Sequence, residues 1–372
     1  MGLRSLFKPK TILTEQETTR GLKLVMWEGI PSLGFTSITT SGLLAAYALA
    51  LGANNLQIGI LAAIPFLTQL LQVPGILIAE KLRRRKLIAF ITWTMAQLLW
   101  LPLAGIPLFM DIDGGAGISM LLLIMTIRFT LVAFTNCNWF SWMRDLISQH
   151  ILGDVFAKRL ALATSAAAVF GILASIFVDY WNTMQMGPPV MGYTWALLFG
   201  AVFLALSSPI FMAKTPEPMM PLPLEPKPNF WKMLITPYKD KNYFQLIRFL
   251  FLWNMALNLA VPFFSVYMLQ RLGLPVSVVI GLNVLSQIFN VLFSRVWGRF
   301  ADRFGSKVVL SVCASLYLLV IIGWTFTTMP EKYAFTVPLL VILHIFAGIA
   351  LSGTTLTIST IGMKLAPRGQ ST

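Results

Sequence analysis

Charged residues are scarce in this chain, and that scarcity limits the class of protein it can encode. Only 11% of its 372 residues are charged and 57% are hydrophobic, whereas a soluble domain carries roughly a quarter charged residues. A chain this poor in charge cannot cover its surface with polar groups, so it requires the lipid bilayer as its solvent. Because the apolar runs are long and continuous, we predict membrane-spanning helices rather than alternating barrel strands.

Cysteine and histidine are also scarce, with two of each. Cys137 and Cys313 both lie in apolar runs, which is typical of small buried hydrophobic residues and excludes a disulfide framework or a CxxC metal site. A membrane-embedded enzyme would cluster His, Asp and Glu near one interface, but the two histidines are far apart in the sequence. We therefore expect no enzyme activity and no cofactor or metal.

The long apolar runs define the predicted spans. At about twenty apolar residues per span, the predicted spans are 28–51, 57–79, 87–110, 118–140, 160–180, 193–213, 247–269, 276–297, 308–328 and 335–358. The first residues are basic, but no cleavage site follows the first apolar run, so a cleaved signal peptide is not expected.

The basic residues are distributed unevenly among the loops. Of the 28 Lys and Arg residues, 25 fall in one alternate set of segments, the other set holds only Arg271 and Lys332, and Arg128 lies inside a span. The positive-inside rule places the basic set in the cytoplasm. We thus predict a multi-pass protein of the inner membrane with both termini cytoplasmic and an even number of spans. The net charge of +14 then reflects topology and not nucleic-acid binding.

Composition also divides the chain into segments. We predict an N-terminal cytoplasmic segment over 1–27, a six-helix bundle over 28–213, a cytoplasmic linker over 214–246 and a second bundle over 247–372. The linker is rich in proline and charge, which is typical of a semi-rigid connection. Thr14 and Glu17 have the spacing of a capping box, which predicts a short interfacial helix leading into the first span.

The two halves resemble each other at a nearly constant offset. Glu80-Lys81 precedes Asp302-Arg303 by 222 residues, and Gly52 precedes Gly273 by 221. Matches at one offset with hydropathy in register indicate duplication, and parallel repeats are a known transporter architecture. The fifth and sixth predicted spans have no counterpart in the second half, so we expect two further helices to be missing from this sequence.

The loop between the eighth and ninth spans carries the most specific motif. It reads GRFADRFGSK, with Gly298, Asp302, Arg303, Gly305 and Lys307 at the pattern G-x-x-x-D-R-x-G-x-K. A glycine in a helix permits close helix approach, a second glycine permits a tight turn, and an aspartate can accept hydrogen bonds from a helix N-terminus. This pattern resembles the signature cytoplasmic loop of the major facilitator superfamily.

The corresponding loop of the first half keeps only part of this pattern. Glu80, Lys81 and Arg85 match the acidic and basic positions, while both glycine positions are lost. The resemblance covers the chain after about its first twenty residues. It implies two six-helix bundles around a central cavity, about ten of the helices present here, and a permease that works by alternating access. It also implies that the motif gates the cytoplasmic side, and we expect Asp302 to act near Lys158 and Arg159.

A few polar residues inside the spans are candidates for contact with the solute. An intramembrane charge is expensive, so Arg128 is the first of them; its packing alternative is a hydrogen bond between helices. The others are amides, a histidine and a hydroxyl in predicted cavity helices, which alternatively hold helices together: Asn254, Asn258, Asn283, Gln287, His344 and Thr40.

Together these features predict an all-α secondary transporter for a small polar or anionic solute. Its partners are that solute and the lipid bilayer. The sequence does not identify whether a proton or sodium is the coupling ion, because no carboxylate is evident at the centre of the spans. Glu28, near the cytoplasmic mouth, is the best candidate for a coupling carboxylate. The remaining alternatives are a truncated, transport-inactive membrane protein and, less favoured, a membrane-embedded enzyme.

Overall fold

The computed structural model describes residues 7–110, 115–220, 238–239, 241–328 and 331–365. Nine helices in these residues are long and apolar enough to cross a membrane. We number them α2 to α10, and their bounds are Asn55–Leu82, Arg85–Ala104, Ala116–Leu146, Asp154–Thr183, Pro189–Lys214, Tyr243–Arg271, Val276–Phe304, Ser306–Thr327 and Thr336–Ile358. They correspond to the second to tenth predicted spans. Of the described residues, only Lys10 and Pro218 form a β-bridge.

The first predicted span, 28–51, is present as a broken helix, which we call α1 (residues 15–50). It begins with the α-helix Glu15–Gly29, and the predicted capping box between Thr14 and Glu17 is confirmed. A π-helical turn follows at Ile30–Gly34, and the helix is kinked within Thr39–Leu43. Pro31, the second residue of the π turn, has no N–H to donate, and Gly42 at the kink has a φ of 121°, which favours glycine.

Several spans are longer than their apolar runs predicted. Helix α4 has 31 residues and α5 has 30, so each is about 45 Å long at 1.5 Å per residue. A hydrocarbon core of about 30 Å leaves the surplus for tilt or for extension into the headgroup region. The third predicted span, 87–110, is shorter than expected: α3 ends at Ala104, and a separate short helix, Ile106–Phe109, follows Gly105.

The chain divides into two compact units. The N-terminal unit comprises 1–222 with 275–277, and the C-terminal unit comprises 223–274 and 278–372. Aromatic and aliphatic side chains fill the core of each unit, including Trp142 in the first and Leu340 in the second. In the C-terminal unit, a Cβ added at Gly348 would lie 2.1 Å from the carbonyl oxygen of Ser286, so α8 and α10 pack with almost no space between them.

The two glycines at the 221-residue offset have the same backbone role. Gly52 follows α1 with a φ of 84°, and Gly273 follows α7 with a φ of 59°. Both lie in the left-handed region that side chains disfavour. The same turn therefore ends the first helix of each half, as duplication predicts.

Candidate functional site

Arg128 lies near the middle of α4 and is buried inside the N-terminal unit, with 2% of its surface exposed. Its guanidinium carbon stacks 4.5 Å from the centre of the Trp100 ring and 5.3 Å from that of Phe129. Its Nε has no hydrogen-bond partner among the described residues, and none of them forms an ion pair with it. Arg128 is thus a buried cation within a membrane span. It contacts two aromatic rings, and its Nε has no hydrogen-bond acceptor among the described residues.

Two residues of α3 also carry unpaired polar atoms, and one of them, Trp100, lies against Arg128. Gln97 and Trp100 are both fully buried. Within the described residues, both amide atoms of Gln97 and the indole Nε1 of Trp100 lack hydrogen-bond partners. Sequence reasoning did not select either residue, because one amide and one tryptophan in an apolar run are ordinary. Burial without a partner is what makes them notable.

The predicted amides of the C-terminal unit make hydrogen bonds within their own helices. The side-chain nitrogens of Asn254 and Asn258 donate to the Leu250 and Asn254 carbonyls, each at 2.8 Å. Asn283 donates to the Val279 carbonyl at 3.1 Å, and Gln287 is half-buried. These bonds leave the amide oxygens of Asn254 and Asn258 as acceptors.

His344 and Thr40 contribute less to a defined site. The Nδ1 of His344 lies 2.8 Å from the Leu340 carbonyl, and its ring packs edge-on against Trp324 at 5.6 Å. These contacts are those of a packing residue, and contact of His344 with the solute stays a prediction. Thr40 lies in the kinked segment Thr39–Leu43 of α1, and its side chain is outside the described part of the structure.

The G-x-x-x-D-R-x-G-x-K motif of the second half lies where α8 ends. Gly305 follows the helix with a φ of 90°, which explains the glycine at this turn. A Cβ added at Gly298 would meet no described atom within 4 Å, so the close helix approach expected there is not seen. Asp302, Arg303 and Lys307 are exposed, and Arg303 stacks on Phe304 at 5.2 Å.

The corresponding loop of the first half is built around Arg85, which is completely buried. Its Nη1 lies 2.5 Å from the Asp145 carboxylate and donates to the Ser141 carbonyl at 2.8 Å. Its Nη2 donates to the Pro218 carbonyl at 3.3 Å. Glu80 is half-buried and Lys81 is exposed. Arg85 therefore joins segments that are far apart in the sequence.

Residues 215–220, which we call the strap, lie across the end of the N-terminal unit. The Trp142 indole donates to the Pro216 carbonyl at 2.9 Å. In the β-bridge, the Lys10 N–H donates to the Glu217 carbonyl at 2.9 Å and the Met219 N–H donates to the Lys10 carbonyl at 2.8 Å. Glu217 is buried in this region, and its Oε1 accepts from the Lys86 backbone N–H at 3.1 Å. Burial raises the pKa of Glu217, and the hydrogen bond from Lys86 and the charge of Arg85 oppose that rise.

A second buried ion pair joins α1, α5 and α6. The Arg159 Nη2 lies 2.5 Å from Oε2 of Glu28 and 3.0 Å from the Ser32 hydroxyl. Ser208 donates to the other carboxylate oxygen at 2.6 Å, and Trp93 donates to Ser208 at 2.7 Å. The guanidinium of Arg159 is therefore bound inside the N-terminal unit, which weakens the expectation that it meets Asp302.

The N-terminal unit also contains an apolar groove of about 900 Å³ between α1, α5 and α6. Only hydrophobic residues and glycine line it, including Phe35, Phe177 and Phe199. Among the described residues, no cluster of His, Cys, Asp and Glu could hold a metal ion.

Comparison with known proteins identifies the family. The family model described as Major Facilitator Superfamily matches residues 31–372. A mutant of the nucleoside transporter NupG superposes with a TM-score of 0.71 at 16% identity, covering 95% of this chain and 85% of that one. No curated protein sequence matches.

A second transporter superposes nearly as well. It is a bacterial homolog of the human lysosomal transporter Spinster, inward-facing and unoccupied, with a TM-score of 0.65 at 14% identity, covering 96% and 78% of the two chains. At these identities the superpositions show the fold alone. With the family match over most of the sequence, they establish that this chain belongs to the Major Facilitator Superfamily of membrane transporters.

Proposed function

We propose that this protein is a secondary active transporter that moves a small polar or anionic solute by alternating access. The observation that carries the proposal is Arg128, a buried cation near the middle of a membrane span with no acceptor among the described residues. A charge in hydrocarbon must find an anion or strong acceptors. An anionic or carbonyl-rich solute supplies them.

The amides of α7 and α8 extend the proposed solute contacts. The free amide oxygens of Asn254 and Asn258 accept hydrogen bonds from a polar solute, and Asn283, Gln287, His344 and Thr40 are further candidates. A nucleoside is a polar solute of this kind, and one structural neighbour is named a nucleoside transporter. Nucleosides therefore belong in the first panel of solutes to test.

Transport by purified protein in liposomes tests the proposal directly. We expect uptake of a polar or anionic solute in the panel, driven by a proton or sodium gradient imposed across the membrane. Arg128→Ala should lower the initial rate at least about tenfold, because one charged hydrogen bond contributes roughly 1.5–3 kcal/mol. Lys332→Ala removes an exposed basic residue and is the control, with an unchanged rate expected.

Three results would contradict the proposal or part of it. Absence of flux for every solute in correctly inserted protein would favour the transport-inactive alternative. Normal flux in folded Arg128→Ala would make Arg128 a packing residue. Flux that is indifferent to both ion gradients would exclude coupling to either ion.

The proposed orientation places both termini in the cytoplasm of a cell whose inner membrane holds the protein. The reason is the concentration of basic residues in alternate loops, 25 against two. Reporter fusions at Met220 and at the C-terminus should both report a cytoplasmic location. If the two fusions report opposite sides, the topology is wrong.

We further propose that the loop after α8 gates the cytoplasmic side. Asp302 and Arg303 are exposed at the end of that helix, and Gly305 provides the turn that follows. Within the N-terminal unit Arg159 is bound to Glu28 and Lys158 to Asp154, so the basic partner of Asp302 stays a prediction.

A further inference from the structure

We propose that Arg128, Trp100 and Gln97 form a binding site for a small monovalent anion inside the N-terminal unit. The proposal deepens the function above and rests on it in one respect, because the anion enters when alternating access opens the unit. It adds Trp100 and Gln97 to the residues that contact the solute, and it specifies that the ligand carries a single negative charge.

The first observation is the chemistry of the unpaired atoms. Nε of Arg128, Nε1 of Trp100 and Nε2 of Gln97 are all N–H donors, and none has a hydrogen-bond partner among the described residues. Arg128 is 2% exposed and the other two residues 0%. Buried polar groups are nearly always paired, so an unpaired guanidinium N–H, an unpaired indole N–H against it and an unpaired amide one helical turn away indicate a ligand that accepts hydrogen bonds.

The second observation is their placement. The Arg128 guanidinium lies over the Trp100 ring, which puts the indole N–H within a few ångströms of the charge. Gln97 precedes Trp100 by three residues on α3, which places both on one side of that helix. This cation–π contact supplies no hydrogen-bond acceptor, so the Nε–H of Arg128 stays available for an anion. Phe35 meets the Trp100 ring edge-on at 5.0 Å and encloses the site.

The charge of the ligand can be inferred by comparing Arg128 with the other buried arginines of the N-terminal unit. Arg85 pairs with Asp145 and Arg159 pairs with Glu28. Among the buried arginines that the structure describes, only Arg128 lacks an acidic partner. One unpaired positive charge is balanced by one negative charge, whereas a dianion would leave a net charge in a low-dielectric site. The site therefore selects monovalent anions.

The amide of Gln97 further restricts which functional groups the ligand can carry. Both its oxygen and its nitrogen lack partners, so the argument holds whichever way the amide is turned. The nitrogen donates to the anionic group, and the oxygen accepts from a hydroxyl or N–H beside it. A halide would leave that oxygen buried and unpaired, which is unfavourable. A small carboxylate with an adjacent hydroxyl satisfies every group.

The test measures binding by purified full-length chain in lipid nanodiscs. Its thermal midpoint is recorded against sodium lactate, acetate, chloride and sulfate at constant ionic strength. We expect lactate to raise the midpoint most, acetate and chloride less, and sulfate not at all. Trp100→Phe keeps the aromatic face and removes one N–H, so lactate should bind about fivefold to tenfold more weakly.

Further variants keep the test decisive. Arg128→Gln should abolish the lactate response, and Arg128→Lys, which keeps the charge without the planar fork, should weaken it if the glutamine variant fails to fold. Thr126→Ala, at an exposed position on the same helix, is the control and should respond as the original protein does. Equal lactate responses in the original chain and in a folded Arg128 variant, or no response to any monovalent anion, would overturn the site.

A flux experiment distinguishes an anion that is transported from an anion that only binds. Labelled lactate that enters liposomes, and competes with other solutes, identifies the anion as a transported solute. Lactate that binds without entering identifies a bound co-ion. Either result supports the site. Loss of anion binding with continued flux of a neutral solute would reject this inference and leave the proposed transport function intact.

Discussion

Replacing Arg159 with leucine is expected to destabilise the N-terminal unit by about 3–5 kcal/mol, the range for a buried charge deprived of its partner. The substitution leaves the Glu28 carboxylate, 4% exposed, with only the Ser208 hydroxyl as a donor. It also removes the hydrogen bond from Arg159 Nε to the Val25 carbonyl, 3.2 Å long. Unfolding of the purified protein in increasing denaturant measures the change.

A matched control and a double substitution show whether the charge is responsible. The neighbouring Lys158 pairs with Asp154 at 2.7 Å, but both side chains are 61% exposed, so Lys158→Leu should change stability by less than about 1 kcal/mol. Glu28→Leu combined with Arg159→Leu should recover much of the loss, because no lone charge is then buried. A double variant as unstable as the two single ones together would mean that packing and not charge is decisive.

Replacing Arg85 with methionine is expected to release the strap. Arg85 provides the cation for Asp145 and a donor for the Pro218 carbonyl, and without it the buried Glu217 loses the charge that opposes its desolvation. A cysteine introduced at the buried Thr215 reports release through its rate of reaction with a water-soluble maleimide. We expect at least about a tenfold faster reaction, equivalent to about 1.4 kcal/mol of lost docking energy.

The release should also depend on pH. The pKa of Glu217 is raised in the folded state, so its contribution to docking is fully present below its unfolded value of about 4.5 and is lost as pH rises through the raised value. The labelling rate of Arg85→Met, divided by that of Arg84→Met at the same pH, should therefore fall as pH falls through the raised pKa of Glu217, because the thiolate fraction that the maleimide attacks changes equally in both variants. Arg84→Met, at an exposed neighbouring position, is the control, and equal labelling of the two variants would contradict the role of Arg85.

The sequence predicted the helices well because hydropathy is a local property. Apolar runs located α2 to α10, and the spacing of Thr14 and Glu17 identified the start of α1. The breaks within α1 were not predicted, since proline is common in membrane helices and gives no sign of a π turn. The ends of α4 and α5 were misplaced because polar residues continue both helices beyond the apolar run.

The candidate site was only partly predictable, for a different reason. A charge in an apolar run stands out, and Arg128 was found that way. Trp100 and Gln97 become notable only through burial and missing partners, which are properties of the fold. Likewise, motif spacing selected Arg85 as a basic position, but its contacts with Asp145 and Pro218 join residues 60 and 133 positions away.

The π turn at Ile30–Gly34 also changes how the faces of α1 must be assigned. A π turn closes its hydrogen bonds over five residues instead of four, which acts as one extra residue in a helix where successive residues are about 100° apart. The backbone positions just after it, Phe35–Ile38, are thus rotated by about 100° from the direction that an unbroken helix starting at Glu15 would give them, and the non-helical Gly42 then breaks the helix before Leu44–Ala50. One span therefore presents differently directed faces to its neighbours at its two ends, and a single helical wheel drawn through its whole length misassigns the faces of its C-terminal half.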